Sequence, residues 1–105
     1  MGISAEPGSA VHGIDACAFV ADHPGLVQFL EYGSDLARGL DEHVGRWAAE
    51  GRPTTYHFLD LNLEDPSDAD DEWLRGTTAA ARAIGAAWLC GDAGLWHFGP
   101  RDRGH

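Results

Sequence analysis

The sequence predicts one small α/β domain, with α+β as the neighbouring class: a mixed sheet of about four strands and two helices in the order βαβαββ. Three observations predict it. The chain has 105 residues, the length of a single domain. Hydrophobic residues make up 44% of it, with four Trp, two Tyr and four Phe, so a core can be buried. Apolar residues recur at three-and-four spacing in two segments, and short apolar or alternating runs lie between them, the pattern of helices joining strands.

Residues 1–12 are small and polar, with Pro7 and Gly8, and read as a loose tail before a domain spanning 13–98; residues 99–105 read as a second tail. Ile14 to Ala21 is a short apolar run closed by Asp22-His-Pro-Gly25, and reads as strand 1. From Leu26 the apolar positions 26, 29/30, 33, 36/37, 40, 44 and 47/48 form one continuous stripe, which predicts helix 1 over about 25–50. Gly33-Ser34-Asp35 is a break signal inside it, but the stripe continues in phase, so a single helix is expected. Glu42 precedes Arg46 by four, the favourable order for a helical ion pair.

Gly51-Arg-Pro53 ends that helix. Thr54 to Leu63 alternates and reads as strand 2, with Thr55, His57, Leu59, Leu61 and Leu63 facing the core and Tyr56, Phe58 and Asp60 facing away. Residues 64–72 form an acidic loop running into helix 2 (about 69–85), with Asp68 as N-cap and acids at the positive end of the helix dipole. Gly85 ends the helix. Ala86 to Cys90, Gly91-Asp-Ala-Gly94 and Leu95 to Phe98 then read as a hairpin.

The charge narrows the function. Seven basic against seventeen acidic residues give a net charge of −10, and phosphate binding needs the opposite sign, so no nucleic-acid partner is expected. All seven bases are Arg, which reads as the codon bias of a high-GC bacterial gene. No apolar run is long enough to span a bilayer, and the first residues lack a secretory pattern, so the expectation is a cytoplasmic protein without a membrane partner. Cys17 and Cys90 are too few and too far apart for a disulfide framework.

Four residues in or beside strands, His57, Asp60, Cys90 and His97, are the candidates for convergence, but Cys90 sits in no nucleophile signature and no closely spaced Cys/His pair suggests a metal. No catalytic residue, cofactor or metal ligand is therefore assigned. The acidic run fails as a calcium loop, because Gly76 stands where the bidentate Glu belongs. It suits a basic protein partner better. The function expected is that of a small acidic, non-enzymatic binding protein of the inhibitor, immunity or regulatory type. Asp65, Asp68, Asp70 and Asp71 would steer the partner, Tyr56, Phe58 and Trp96 would anchor it, and Asp60 belongs to the same partner-binding set. The alternative is a homodimeric ligand-binding or enzymatic domain with a pocket at an aromatic sheet face.

Overall fold

A computed structural model describes residues 1–8, 15–61, 65–91, 97–99 and 102–103. Its elements are β1 (Gly2–Ala5), α1 (Ala16–Asp22), β2 (Phe29–Ser34), α2 (Glu42–Ala49), β3 (Thr54–Phe58), a 3₁₀ turn (Pro66–Asp68), α3 (Asp71–Ala83), β4 (Leu89–Gly91), β5 (His97–Gly99) and β6 (Asp102–Arg103). Strands β1 to β4 form one sheet in chain order, and every neighbouring pair is parallel. Short β5 and β6 pair antiparallel in a separate ribbon. The expected mixed sheet with two helices in βαβαββ order is thus corrected, among the described residues, to a four-stranded parallel sheet with three helices in βαβαβαβ order.

Three local readings account for the difference. The run expected as strand 1 is helix α1: the Asp15 carboxylate accepts from the Ala18 N–H, and Ala16 and Val20, four apart, turn inward. An apolar run this short fits either element, and the cap decides. The expected helix 1 is β2 followed by α2. Leu30, Tyr32 and Ser34 are buried on one side of β2, while Phe29 and Glu31 alternate to the other, so the apolar spacing that matched a helix there is a strand's period of two. Asp41 then caps α2, accepting from the His43 N–H. Gly2–Ala5, expected as tail, becomes β1 by pairing with Phe29–Tyr32 of β2.

The later segments lie closer to expectation. β3 runs from Thr54 to Phe58, shorter than the expected 54–63: residues 59–61 are described and are not strand, and Asn62 to Glu64 lie outside the described residues. Its faces are reversed, however, since Tyr56 points to the core and His57 away from it. α3 is capped by Asp70 rather than Asp68. Gly51 and Gly85, both at positive φ, close α2 and α3, a conformation in which a side chain costs about 1 kcal/mol. β4 joins β3 in parallel and does not pair with β5, so no hairpin joins them; residues 92–96, the expected turn, lie outside the described set.

The layering follows from the strand order. Parallel crossovers are right-handed almost without exception, and in a sheet ordered 1-2-3-4 that puts every connecting helix on the same side. Burial agrees. One core cluster unites Ala16 and Val20 of α1, Val44 and Trp47 of α2 and Ile84 after α3 with Ala5, Leu30, Tyr32 and Tyr56, all of which share one sheet face by register. Phe58, on that face, meets Trp73 of α3 edge-on at 5.2 Å. The Tyr32 hydroxyl closes the core at one end, donating to the Gly39 carbonyl and accepting from the Asp41 N–H, both at 2.8 Å.

The other face carries Phe29, Glu31, Thr55, His57, Trp88 and Cys90, and none of these belongs to that cluster. Two edge glycines make room for rings of the inner strands: the Phe29 ring lies over Gly2, and the Phe58 ring over Gly91. Among the described residues, no helix is long and apolar enough to cross a membrane.

Candidate functional site

The described residues among those expected to bind a partner are divided between the core and the surface. Tyr56 is 1% exposed in the core, and its hydroxyl is held well above the ordinary tyrosine range, first by burial and then by the nearby Asp60, Tyr32 and Asp35. Phe58 is half-buried against Trp73. Asp60 is 3% exposed and accepts from the Trp73 indole N–H at 2.8 Å and the Leu36 N–H at 3.0 Å. Asp65 caps the 3₁₀ turn through Ser67, Asp68 is buried within that turn, and Asp70 caps α3. Asp71, in the first turn of α3, is exposed and has no capping role, and the same holds for Glu72 beside it. Trp96 lies outside the described residues, and His97 is placed in β5 by its backbone. The acidic run is therefore mainly a device for starting two helical turns.

Two regions gather chemistry-bearing side chains. The first is a cleft of about 250 Å³ between α1 and α2, lined by Cys17, His43, Arg46, Trp47 and Arg52 among others. Asp41 lies 3.3 Å from His43 Nδ1, and the Cys17 thiol donates to the His43 carbonyl oxygen. A Cys, a His and an Asp side by side suggest an activated nucleophile. Burial, reinforced by Asp15 and Asp41 and opposed by Arg46 and Arg52, instead pushes the Cys17 thiol up to about 11. At neutral pH it is a protonated thiol, which is the inert form.

Asp41 itself is a stability group. Its burial pulls the carboxyl upward, but the N–H groups of Gly8, His43 and Val44 and the His43 ring outweigh that and hold it below its ordinary value. A lowered pKa contributes stability that is complete above the unfolded value, near 4, and is lost as the pH falls through the folded value. Asp41→Ala is therefore expected to cost about 1 kcal/mol at pH 6, and the gap to the native chain should narrow steadily below pH 4. Urea unfolding at a series of pH values measures this. A gap that stays constant to pH 2 would contradict it.

The second region lies on the sheet face without helices. Glu31 of β2, His57 of β3 and Cys90 of β4 stand on three adjacent strands, and their ligand atoms all lie within 4.8 Å of one another. Glu31 Oε1 is 3.4 Å from His57 Nδ1 and accepts from Ser4 Oγ at 3.3 Å, while Oε2 accepts from the Cys90 thiol at 3.9 Å. All three side chains are partly buried. The sequence offered His57 and Cys90 as candidates. It concealed Glu31, because a helical reading of residues 29–34 places that carboxylate on the solvent side of a helix. Read as a strand, β2 puts Glu31 on the same face as both.

Beside this trio stands an apolar edge. Trp88 is 57% exposed, meets Phe29 edge-on at 5.8 Å and is followed by Leu89 at 48% exposed. The two residues wall a shallow groove of about 610 Å³ together with Ala81 and Arg82 of α3 and the turn at Gly85. Comparison with known proteins gives no match to any family model, curated protein or solved structure.

Proposed function

We propose that this domain is a small acidic, non-enzymatic binding protein of the inhibitor, immunity or regulatory kind, acting by seating the Trp88 edge of its sheet on a basic partner protein. The observation that carries the reading is the solvent-facing Trp88, supported by Phe29 and continued by Leu89 beside the groove. A rigid, partly supported indole at a surface is the side chain that most often anchors an interface. The net charge of −10 adds the sign of the partner: attraction to a basic surface speeds encounter, and salt weakens it. The anchors expected from sequence, Tyr56 and Phe58, give way to Trp88 in this reading because they are packed under the helices.

The test is capture from native lysate by the immobilised chain and by Trp88→Ser, followed by affinity measurements with the purified captured protein. Removing the indole should weaken binding about 30-fold, the effect of a single aromatic anchor, and raised salt should slow association. Unchanged affinity in Trp88→Ser would remove the reading. The alternative of a homodimer enclosing a ligand pocket makes a separate prediction, a salt-resistant dimer by light scattering, whereas the binding-protein reading expects a monomer.

A further inference from the structure

We propose that Glu31, His57 and Cys90 form a binding site for a zinc-class divalent transition metal on the helix-free face of the sheet. The inference is independent of the partner reading, since it rests on different side chains.

The donor set fits the ion. Tetrahedral zinc bonded to imidazole nitrogen, carboxylate oxygen and thiolate sulfur at about 2.0–2.3 Å holds its donor atoms roughly 3.4–3.6 Å apart. His57 Nδ1 stands 3.4 Å from Glu31 Oε1 and Cys90 Sγ 3.9 Å from Glu31 Oε2, and with one donor atom taken from each residue the set lies within 4.8 Å, so closing around an ion requires movements of up to about an ångström. Thiolate and imidazole select zinc, cobalt or copper over magnesium and calcium, which prefer all-oxygen sites. On binding, Cys90 releases its thiol proton to solvent, and the two resulting negative charges of Cys90 and Glu31 balance the dication. Three protein donors leave the fourth corner of the tetrahedron for water or another donor.

The surroundings support the assignment. The donors come from the three adjacent strands β2, β3 and β4, whose backbones are fixed by the parallel ladder. Ser4 Oγ donates to the Glu31 carboxylate, the kind of outer contact that orients a metal ligand. Thr55 sits opposite Glu31 in register on the same face, and its Oγ1 is buried without a hydrogen-bond partner among the described residues. A buried hydroxyl without a partner costs about 1–3 kcal/mol. A polar group bound beside Glu31, such as a metal-held water, is the kind of partner that hydroxyl lacks.

Cobalt tests the site directly, because a thiolate ligand gives Co²⁺ a near-ultraviolet charge-transfer band and tetrahedral geometry gives intense visible bands. The reduced full-length chain is freed of metal and titrated with Co²⁺, then with Zn²⁺ in competition. Both band sets should saturate at one equivalent and disappear when zinc displaces cobalt. Cys90→Ser should abolish the charge-transfer band and weaken zinc binding about 100-fold or more, and His57→Gln and Glu31→Gln should each weaken it at least tenfold. Cys17→Ser, on the opposite side of the sheet, should leave the bands intact, which separates loss of a ligand from loss of the fold. Affinity should fall as the pH is lowered, since protons compete for His57 and Cys90. A native chain without the charge-transfer band at one equivalent, or a Cys90→Ser chain that keeps it, overturns the proposal.

Discussion

Replacing Asp60 by alanine is expected to destabilise the domain by about 2–5 kcal/mol and to lower its melting temperature by roughly 10 °C or more. The carboxylate is 3% exposed and joins three parts of the chain: it follows β3, accepts from the backbone N–H of Leu36 in the loop after β2, and accepts from the indole N–H of Trp73 on α3. Alanine removes the acceptor from a buried indole N–H and a partly buried backbone N–H, and a fully buried donor left without a partner costs about 1–3 kcal/mol. Asp60→Asn retains the volume and one carbonyl oxygen, so it should lose about half as much. Trp73→Phe removes one donor, and combining it with Asp60→Ala should cost less than the sum of the two, because the N–H left stranded in the single variant is then gone. Urea unfolding followed by circular dichroism supplies all four values. Strict additivity would mean that the Trp73 bond is not a source of the loss.

The second large effect lies in the core. Leu30 is fully buried in β2, between Ile3 and Thr54 by register, and its side chain points to the helices. Leu30→Ala should cost about 2–5 kcal/mol, the lost transfer energy plus the cavity left behind. Phe29 is the useful control. Although larger, it lies on the other face against Gly2 and Trp88, outside the core cluster, and its truncation should cost less than that of Leu30. Equal losses from the two neighbours would contradict a sheet with helices on one side only.

How much of this could be read in the chain depends on where the deciding interaction lies. α3 was legible because its signals are local: acids at its start, small and apolar residues at helical spacing, and Gly85 at its end. The start of β3 was legible for the same reason, directly after Gly51-Arg-Pro53. β1 was not, because Gly2-Ile-Ser-Ala5 has little strand propensity of its own and becomes a strand through its ladder with β2. β2 was hidden by a coincidence of spacing, since positions 26, 29/30 and 33 suit a helix while 30, 32 and 34 carry the buried face.

That single misreading propagated to the site. His57 and Cys90 were visible as reactive side chains near strands, yet the Glu31 carboxylate beside them was not, and the face assigned to Tyr56 was reversed with the rest of its strand. Asp65 and Asp70 show the converse. They were read as a charged surface, and the local geometry uses them as caps before any partner is considered.

The order β1-β2-β3-β4 has a consequence for where ligands can be held. In doubly wound sheets the chain starts in the middle, winds one way and then the other, and cofactors lodge in the crevice where the winding reverses, between loops that diverge to opposite sides. Here the four strands advance in one direction like the thread of a screw. The winding does not reverse between β1 and β4, so the crevice of a doubly wound sheet does not arise from the strand order. The broad side without helices is then a second surface, on which side chains can be exchanged on a fixed ladder without reshaping any loop.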